Sequence, residues 1–126
     1  MQVPDTYQYS ADHEWVTATG DMARVGITDY AQDALGEVVY VQLPAVGASV
    51  RAGASLGEVE STKSVSDLYS PVTGVVAAVN ATLTNSPELL NSDPYGAGWI
   101  CEIHLTSSAE LRSLLTADAY RSLVAG

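Results

Sequence analysis

Lys63 is the only lysine in the chain, and it stands inside Glu60-Ser61-Thr62-Lys63-Ser64-Val65-Ser66-Asp67. This run lies between two strand-like segments and surrounds one long amine with small hydroxyl side chains, so a turn lysine here would stand clear of the surface. An ordinary lysine amine is protonated at neutral pH, and the sequence shows neither a second cation nor an apolar pocket nearby to change that. A Schiff-base nucleophile acting alone is therefore disfavoured. An acceptor for modification, deprotonated inside another enzyme's site, needs only exposure. The plainer reading is a solvated turn lysine paired with Glu60 or Asp67, and the residues alone leave both open.

The other reactive side chains offer less. His13 and His104 are far apart in sequence and do not suggest a metal site, and Cys101 falls on the apolar side of its segment, where a thiol packs more often than it reacts. No nucleophile is placed beside a histidine, so a hydrolase triad has no starting point. Glu58 and Glu60 share one strand face and could in principle exchange protons, but in so acidic a chain a solvated face explains them better. There is no glycine-rich phosphate loop.

The elements around Lys63 read mainly as strands. Met22–Ile27 alternates with Ala23, Val25 and Ile27 on one face, and Glu37–Leu43 alternates with Val39, Val41 and Leu43 inward before Pro44 ends it. Between them Thr28 or Asp29 caps a short helix to about Leu35, with Gly36 as its left-handed stop. Pro44-Ala45-Val46-Gly47 and Pro71-Val72-Thr73-Gly74 form a weak repeat on either side of Lys63, predicting two similar hairpins that enclose a central turn. Inward parity fails between Leu56 and Val59, which predicts a bulge near Gly57. Ser86–Asn91 reads as a helix with Ser86 as cap and Pro87 at its first position. In Trp99–Leu105 the residues Trp99, Cys101, Ile103 and Leu105 share a face. Leu111, Leu114 and Leu115 then make a helical stripe, and a second short helix follows from Thr116 to about Leu123.

Many short antiparallel strands with sparse helices imply a sandwich or flattened barrel. The 126 residues suit one domain, with residues 1–8 as an N-terminal extension, 9–105 as the β core and 106–126 as a C-terminal helical tail. Hydrophobic residues are 47% of the chain, which excludes disorder. The net charge of -10 makes nucleic acid and anionic membranes poor partners, since both are bound through clustered Lys and Arg. No apolar run reaches the length of a membrane span, no targeting peptide is visible, and a single cysteine allows no internal disulfide; a cytoplasmic protein is expected.

Glu58–Gly74 resembles the lipoyl attachment segment of the glycine cleavage system H protein family. His13-Glu14-Trp15, then Gly26–Gln32 with Leu35-Gly36-Glu37, resemble its amino-terminal signatures, and Asn91–Trp99 resembles a later one. The resemblance runs from about Tyr9 to the carboxyl terminus. It implies a mainly β barrel-sandwich hybrid of antiparallel strands with short peripheral helices and a C-terminal helix. It implies lipoate joined by an amide to Lys63 and a non-catalytic carrier. The arm would take an aminomethyl group from a glycine decarboxylase (P protein) to an aminomethyltransferase (T protein), which passes the one-carbon unit to tetrahydrofolate. A dihydrolipoyl dehydrogenase (L protein) would then reoxidise the dithiol. Glu14 and Asp67 match positions near the cleft that parks the arm, and Glu60 and Gly74 match positions implicated in recognition by the lipoate-attaching enzyme. Ala34 stands where some relatives have His, so no contribution carries over from that side. Biotinyl domains place Met on both sides of the lysine, whereas here Thr62 and Ser64 flank it. A lipoyl carrier serving another enzyme, or a β-sandwich interaction module with a structural Lys63, are the alternatives.

Overall fold

The computed structural model describes residues 1–125. Nine strands form two antiparallel sheets. One sheet has the order β1 (Gln8–Tyr9), β2 (Glu14–Thr19), β3 (Met22–Ile27), β9 (Cys101–Leu105), β8 (Gly74–Val79), β5 (Ser49–Val50). The other has the order β4 (Val38–Gln42), β6 (Ser55–Ser61), β7 (Val65–Tyr69). Alternation decides which side chains face inward. Ala23, Val25 and Ile27 of β3 and Cys101, Ile103 and Leu105 of β9 meet Val41, Leu56, Val59 and Leu68 from the smaller sheet in one buried cluster. Each Val, Leu or Ile among them contributes roughly 1.5–3 kcal/mol for leaving water, before the entropy of ordering the chain is subtracted.

A second cluster is aromatic. Tyr9, Trp15, Ala117 and Tyr120 are buried together, with Tyr7, Tyr95 and Trp99 packed around them. The phenols and indole find partners at its rim: Trp15 Nε1 donates to the Pro94 carbonyl (2.9 Å) and Tyr7 Oη to the Tyr95 carbonyl (3.0 Å). The cluster also ties down both ends of the chain. Gln2 N–H donates to Asp29 (2.7 Å), and Arg121 of the last helix reaches the Val3 carbonyl (2.7 Å) and pairs with Asp5. Residues 1–8 thus lie against the body of the protein.

Helix α1 (Asp29–Leu35) begins where the sequence places it. Thr28 Oγ1 accepts the Ala31 N–H (3.1 Å), and Gly36 closes the helix at φ +81° with its N–H on the Gln32 carbonyl (3.1 Å). The bulge near Gly57 is present as a register shift between Ser55 and Gly57. Other readings need correction. A register shift between Val38 and Tyr40 reverses the start of β4, so Val38 is buried and Val39 is half exposed, while Val41 faces inward as expected. Trp99 lies outside the core face of β9; Ile100 takes the buried place, and the Trp99 ring stacks under Arg24 (4.4 Å). The two Pro-x-x-Gly segments do not build separate hairpins, because the chain crosses between sheets after each turn. They lead into β5 and β8, which pair with each other through Ser49 opposite Val75 and Val50 opposite Gly74.

The helical readings near the end were partly displaced. Ser86 makes no side-chain cap; i to i+3 bonds run from its own and the Pro87 carbonyl, and regular helix α3 occupies only Leu89–Ser92, after a four-residue α2 (Thr82–Asn85) that the sequence did not suggest. Leu111, Leu114 and Leu115 form no helical stripe. A 3-10 helix (Ser108–Ser113) gives way to extended backbone at Leu114, and Leu115 bridges Tyr9 before α4 (Ala117–Ala125). Leu111 and Leu114 still pack on the main core, while Leu115 joins the aromatic cluster.

Candidate functional site

The hairpin between β6 and β7 carries Lys63. Ser61 N–H donates to the Ser64 carbonyl (2.8 Å), and Ser61 Oγ accepts the N–H groups of Lys63 and Ser64 (both 3.2 Å). None of the turn residues has a positive φ, so the Ser61 hydroxyl stabilises a reversal that glycine commonly makes. Thr62 N–H donates to the Glu37 carbonyl (3.0 Å), which fastens the tip to the start of β4. Gly36 leaves room for the lysine stem: a Cβ there would sit 3.2 Å from Lys63 Cε and 3.6 Å from Nζ. Lys63 is exposed and pairs with neither Glu60 nor Asp67, which removes the plain ion-pair reading of this lysine.

Beyond Gly36 a cleft of about 200 Å³ opens between α1 and the smaller sheet, lined by Asp12, His13, Glu14, Asp67 and an apolar wall that includes Ala31 and Leu35. It brings together Glu14 and Asp67, 53 positions apart in sequence, one on β2 and one on β7. Asp67 is exposed at the rim, whereas Glu14 is only 3% exposed. Ser10 Oγ donates to Glu14 Oε1 (2.6 Å) and Tyr69 N–H to Oε2 (3.4 Å). Among the described residues no cation pairs with this carboxyl. Burial therefore pushes the Glu14 carboxyl up to about 8, with the two hydrogen bonds pulling down and Asp12 adding to the rise. Ala34 lies on the same wall and has no polar group to offer.

Glu60 and Gly74 lie outside this cleft. Glu60 is exposed on β6 in register with Tyr40 and Val65, two half-exposed apolar side chains that form a surface with it beside the hairpin. Gly74 is buried in the larger sheet. A Cβ on it would fall 2.1 Å from the His104 carbonyl oxygen and 2.8 Å from Ile103, so β8 and β9 could not keep their spacing. Gly74→Ala should cost about 3 kcal/mol and lower the melting temperature by roughly 10 °C, measured by calorimetry.

The sequence did not mark His13, Asp12 and Tyr120 as site residues. His13 is the only non-glycine residue with a positive φ (+70°) among those described, and its Nδ1 lies 2.8 Å from Tyr120 Oη on α4. Its place in the His13-Glu14-Trp15 motif was the available signal.

Two larger clefts, of about 360 and 380 Å³, do not adjoin Lys63; the first is walled in part by Arg24 and Glu102, which already pair at 3.0 Å. A flattened antiparallel barrel that holds out one unpaired lysine beside a cleft with a buried carboxylate has the build of a domain that carries a group on a lysine arm. The family model described as glycine cleavage H-protein matches residues 7–125. A glycine cleavage system H protein of Mycobacterium avium is 60% identical over 124 residues, covering 94% of each chain. One from Mycolicibacterium vanbaalenii is 59% identical over 128 residues, covering 98% of each. The crystal structure of a glycine cleavage system H protein from Mycobacterium marinum superposes with a TM-score of 0.89 at 45% identity, covering 98% of this chain and 100% of that one. The chain belongs to the glycine cleavage H-protein family.

Proposed function

We propose that Lys63 Nζ takes lipoate in an amide and that the chain works as the lipoyl carrier of the glycine cleavage system. The protein is a carrier component without a catalytic centre of its own. The observation that supports the site is an exposed, unpaired lysine at the tip of a hairpin that is fastened to the start of β4 and whose strand β7 lines a cleft that holds a nearly buried carboxyl. Amide formation removes the lysine's charge, and no described carboxylate loses an ion-pair partner when it does.

When bound, the group supplies a redox-active dithiolane and a thiol that bears a one-carbon cargo. The chain's own residues supply the parking place. Ala31, Leu35, Val59 and Leu68 exclude water from one side, which protects a hydrolysable cargo. Glu14 and Asp67 offer carboxylate oxygens to its ammonium group, a charge-assisted hydrogen bond. An ammonium close to Glu14 favours the ionised carboxylate, so loading the cleft should expel the proton that burial retains there.

The proposed partners are the glycine decarboxylase, the aminomethyltransferase, the dihydrolipoyl dehydrogenase and a lipoate-attaching enzyme. The last is proposed to read Glu60 directly, because its side chain is exposed near the hairpin, and Gly74 indirectly, because that residue fixes where β8 lies. No described helix is long and apolar enough to cross a membrane, and a cytoplasmic location is proposed. Incubation with lipoate, ATP and a lipoate ligase should add one lipoyl mass to the intact protein and no second. An unchanged mass, with a control H protein acylated in the same tube, would overturn the reading.

A further inference from the structure

The contact between His13 and Tyr120 belongs to a chain of three buried or half-buried polar groups whose hydrogens can be counted. Thr28 and Tyr120 are both fully buried. Thr28 Oγ1 already accepts the Ala31 N–H as the cap of α1, and the only other described group within hydrogen-bond reach of it is Tyr120 Oη (2.7 Å). A buried hydroxyl hydrogen left without an acceptor is costly, so the Thr28 hydroxyl donates to Tyr120 Oη. The Tyr120 hydrogen must then go elsewhere. The acceptor within reach is His13 Nδ1, at 2.8 Å.

That direction fixes the imidazole. With Nδ1 accepting, the ring hydrogen sits on Nε2, and an imidazolium would set two donors against each other at Nδ1 unless the whole chain reversed and orphaned the Thr28 hydrogen. Contacts outside the relay hold the three groups in place: Thr28 N–H donates to the His13 carbonyl (3.1 Å), and the Tyr120 ring is stacked on Tyr9 (4.6 Å between centroids). The titratable groups facing His13 are Asp12 on its own turn, Glu14 on β2, Tyr30 on α1, Asp67 on β7 and Tyr120 on α4. Burial also lowers the imidazole's affinity for a second proton, with Asp12 opposing.

We propose that Tyr120 is a positioning residue for the arm cleft: by donating to Nδ1 it holds His13 as the neutral Nε2–H form, and so keeps a positive charge off the wall that Glu14 and Asp67 share. The helix at the carboxyl end is thereby coupled to the parking of a cationic cargo. This last step rests on the carrier reading above; the hydrogen-bond direction does not.

The test separates the two. Nitrogen-15 NMR of the unlipoylated protein reads the tautomer of both histidines, and His104, bound to Asp21 on the far side of β9, serves as the internal reference. Wild-type His13 should be Nε2–H with a hydrogen-bonded Nδ1. In Tyr120→Phe the Nδ1 signal should lose that signature and the His13 midpoint should rise, while His104 stays unchanged. Thr28→Val removes the upstream donor and should loosen the tautomer preference without touching Tyr120, and Thr28→Ser should restore it. A wild-type His13 protonated on Nδ1 at neutral pH, or variants identical to wild type, would overturn the relay. On loaded protein at about pH 6, Tyr120→Phe should release cargo roughly two- to tenfold faster than wild type, falling toward parity at about pH 8 as the imidazole loses its proton. Parity at both pH values would overturn the positioning role even if the tautomer is as described.

Discussion

Lys63→Arg should remain unacylated by lipoate ligase and should support no glycine-dependent release of carbon dioxide by a matched decarboxylase, with its stability intact. The substitution keeps the charge and much of the stem. Arginine's delocalised guanidinium is protonated throughout the accessible pH range and does not act as an acyl acceptor. The folded state has little to lose, because Lys63 is exposed, makes no ion pair and runs its stem past Gly36. A surface change of that kind alters stability by about 0.5 kcal/mol or less. Activity should therefore fall to the level of an assay without the carrier. Reconstitution with each protein pre-incubated with ligase, read by intact mass and carbon dioxide release, gives both answers. An acylated Arg variant would place the acceptor somewhere other than residue 63, since Lys63 is the only lysine; equal turnover would end the carrier role for residue 63.

Composition made Lys63 conspicuous as the only lysine, set among Ser and Thr between two strand-like segments, but the residues alone also fitted a solvated turn lysine. The same local patterns placed β3, β9 and α1, where alternation or a cap followed by a glycine stop uses only neighbours in sequence. They failed where a distant contact decides the outcome. Val39 points outward because β4 slips register against β6, and Leu115 leaves the helical pattern to bridge Tyr9, more than a hundred positions away. The cleft was the least legible part. Glu14 is one of fifteen acidic residues and nothing around it in sequence distinguishes a buried carboxyl from a solvated one; only the family resemblance paired it with Asp67. His13 and Tyr120, 107 positions apart, meet because α4 folds back across β1 and the start of β2.

Neutralising either cleft carboxylate should speed loss of the parked cargo, and the two should differ in their effect on the empty protein. In the empty protein Glu14 holds its proton until about pH 8, whereas an unfolded glutamate gives it up near 4.5. The native state therefore binds more protons than the unfolded state between those values, so this group's contribution to stability is complete below about 4.5 and drains away as the pH rises through 8. Glu14→Gln keeps the neutral shape and an oxygen for Ser10 or the Tyr69 N–H, so it should remove that slope and gain on the order of 2 to 4 kcal/mol over wild type at about pH 9, by urea unfolding. Asp67→Asn, at the exposed rim, should leave the slope as it is. With cargo aboard the ranking reverses in sense, because the gain of the empty variant is the loss of the loaded one: an ammonium that would have drawn Glu14 into its ionised form now faces an amide. A charged hydrogen bond of roughly 1.5 kcal/mol, once lost, corresponds to about tenfold faster release of formaldehyde and ammonia if opening of the cleft limits hydrolysis. Release unchanged in both variants, with the pH slope of wild type also absent, would remove Glu14 and Asp67 from any part in holding the cargo.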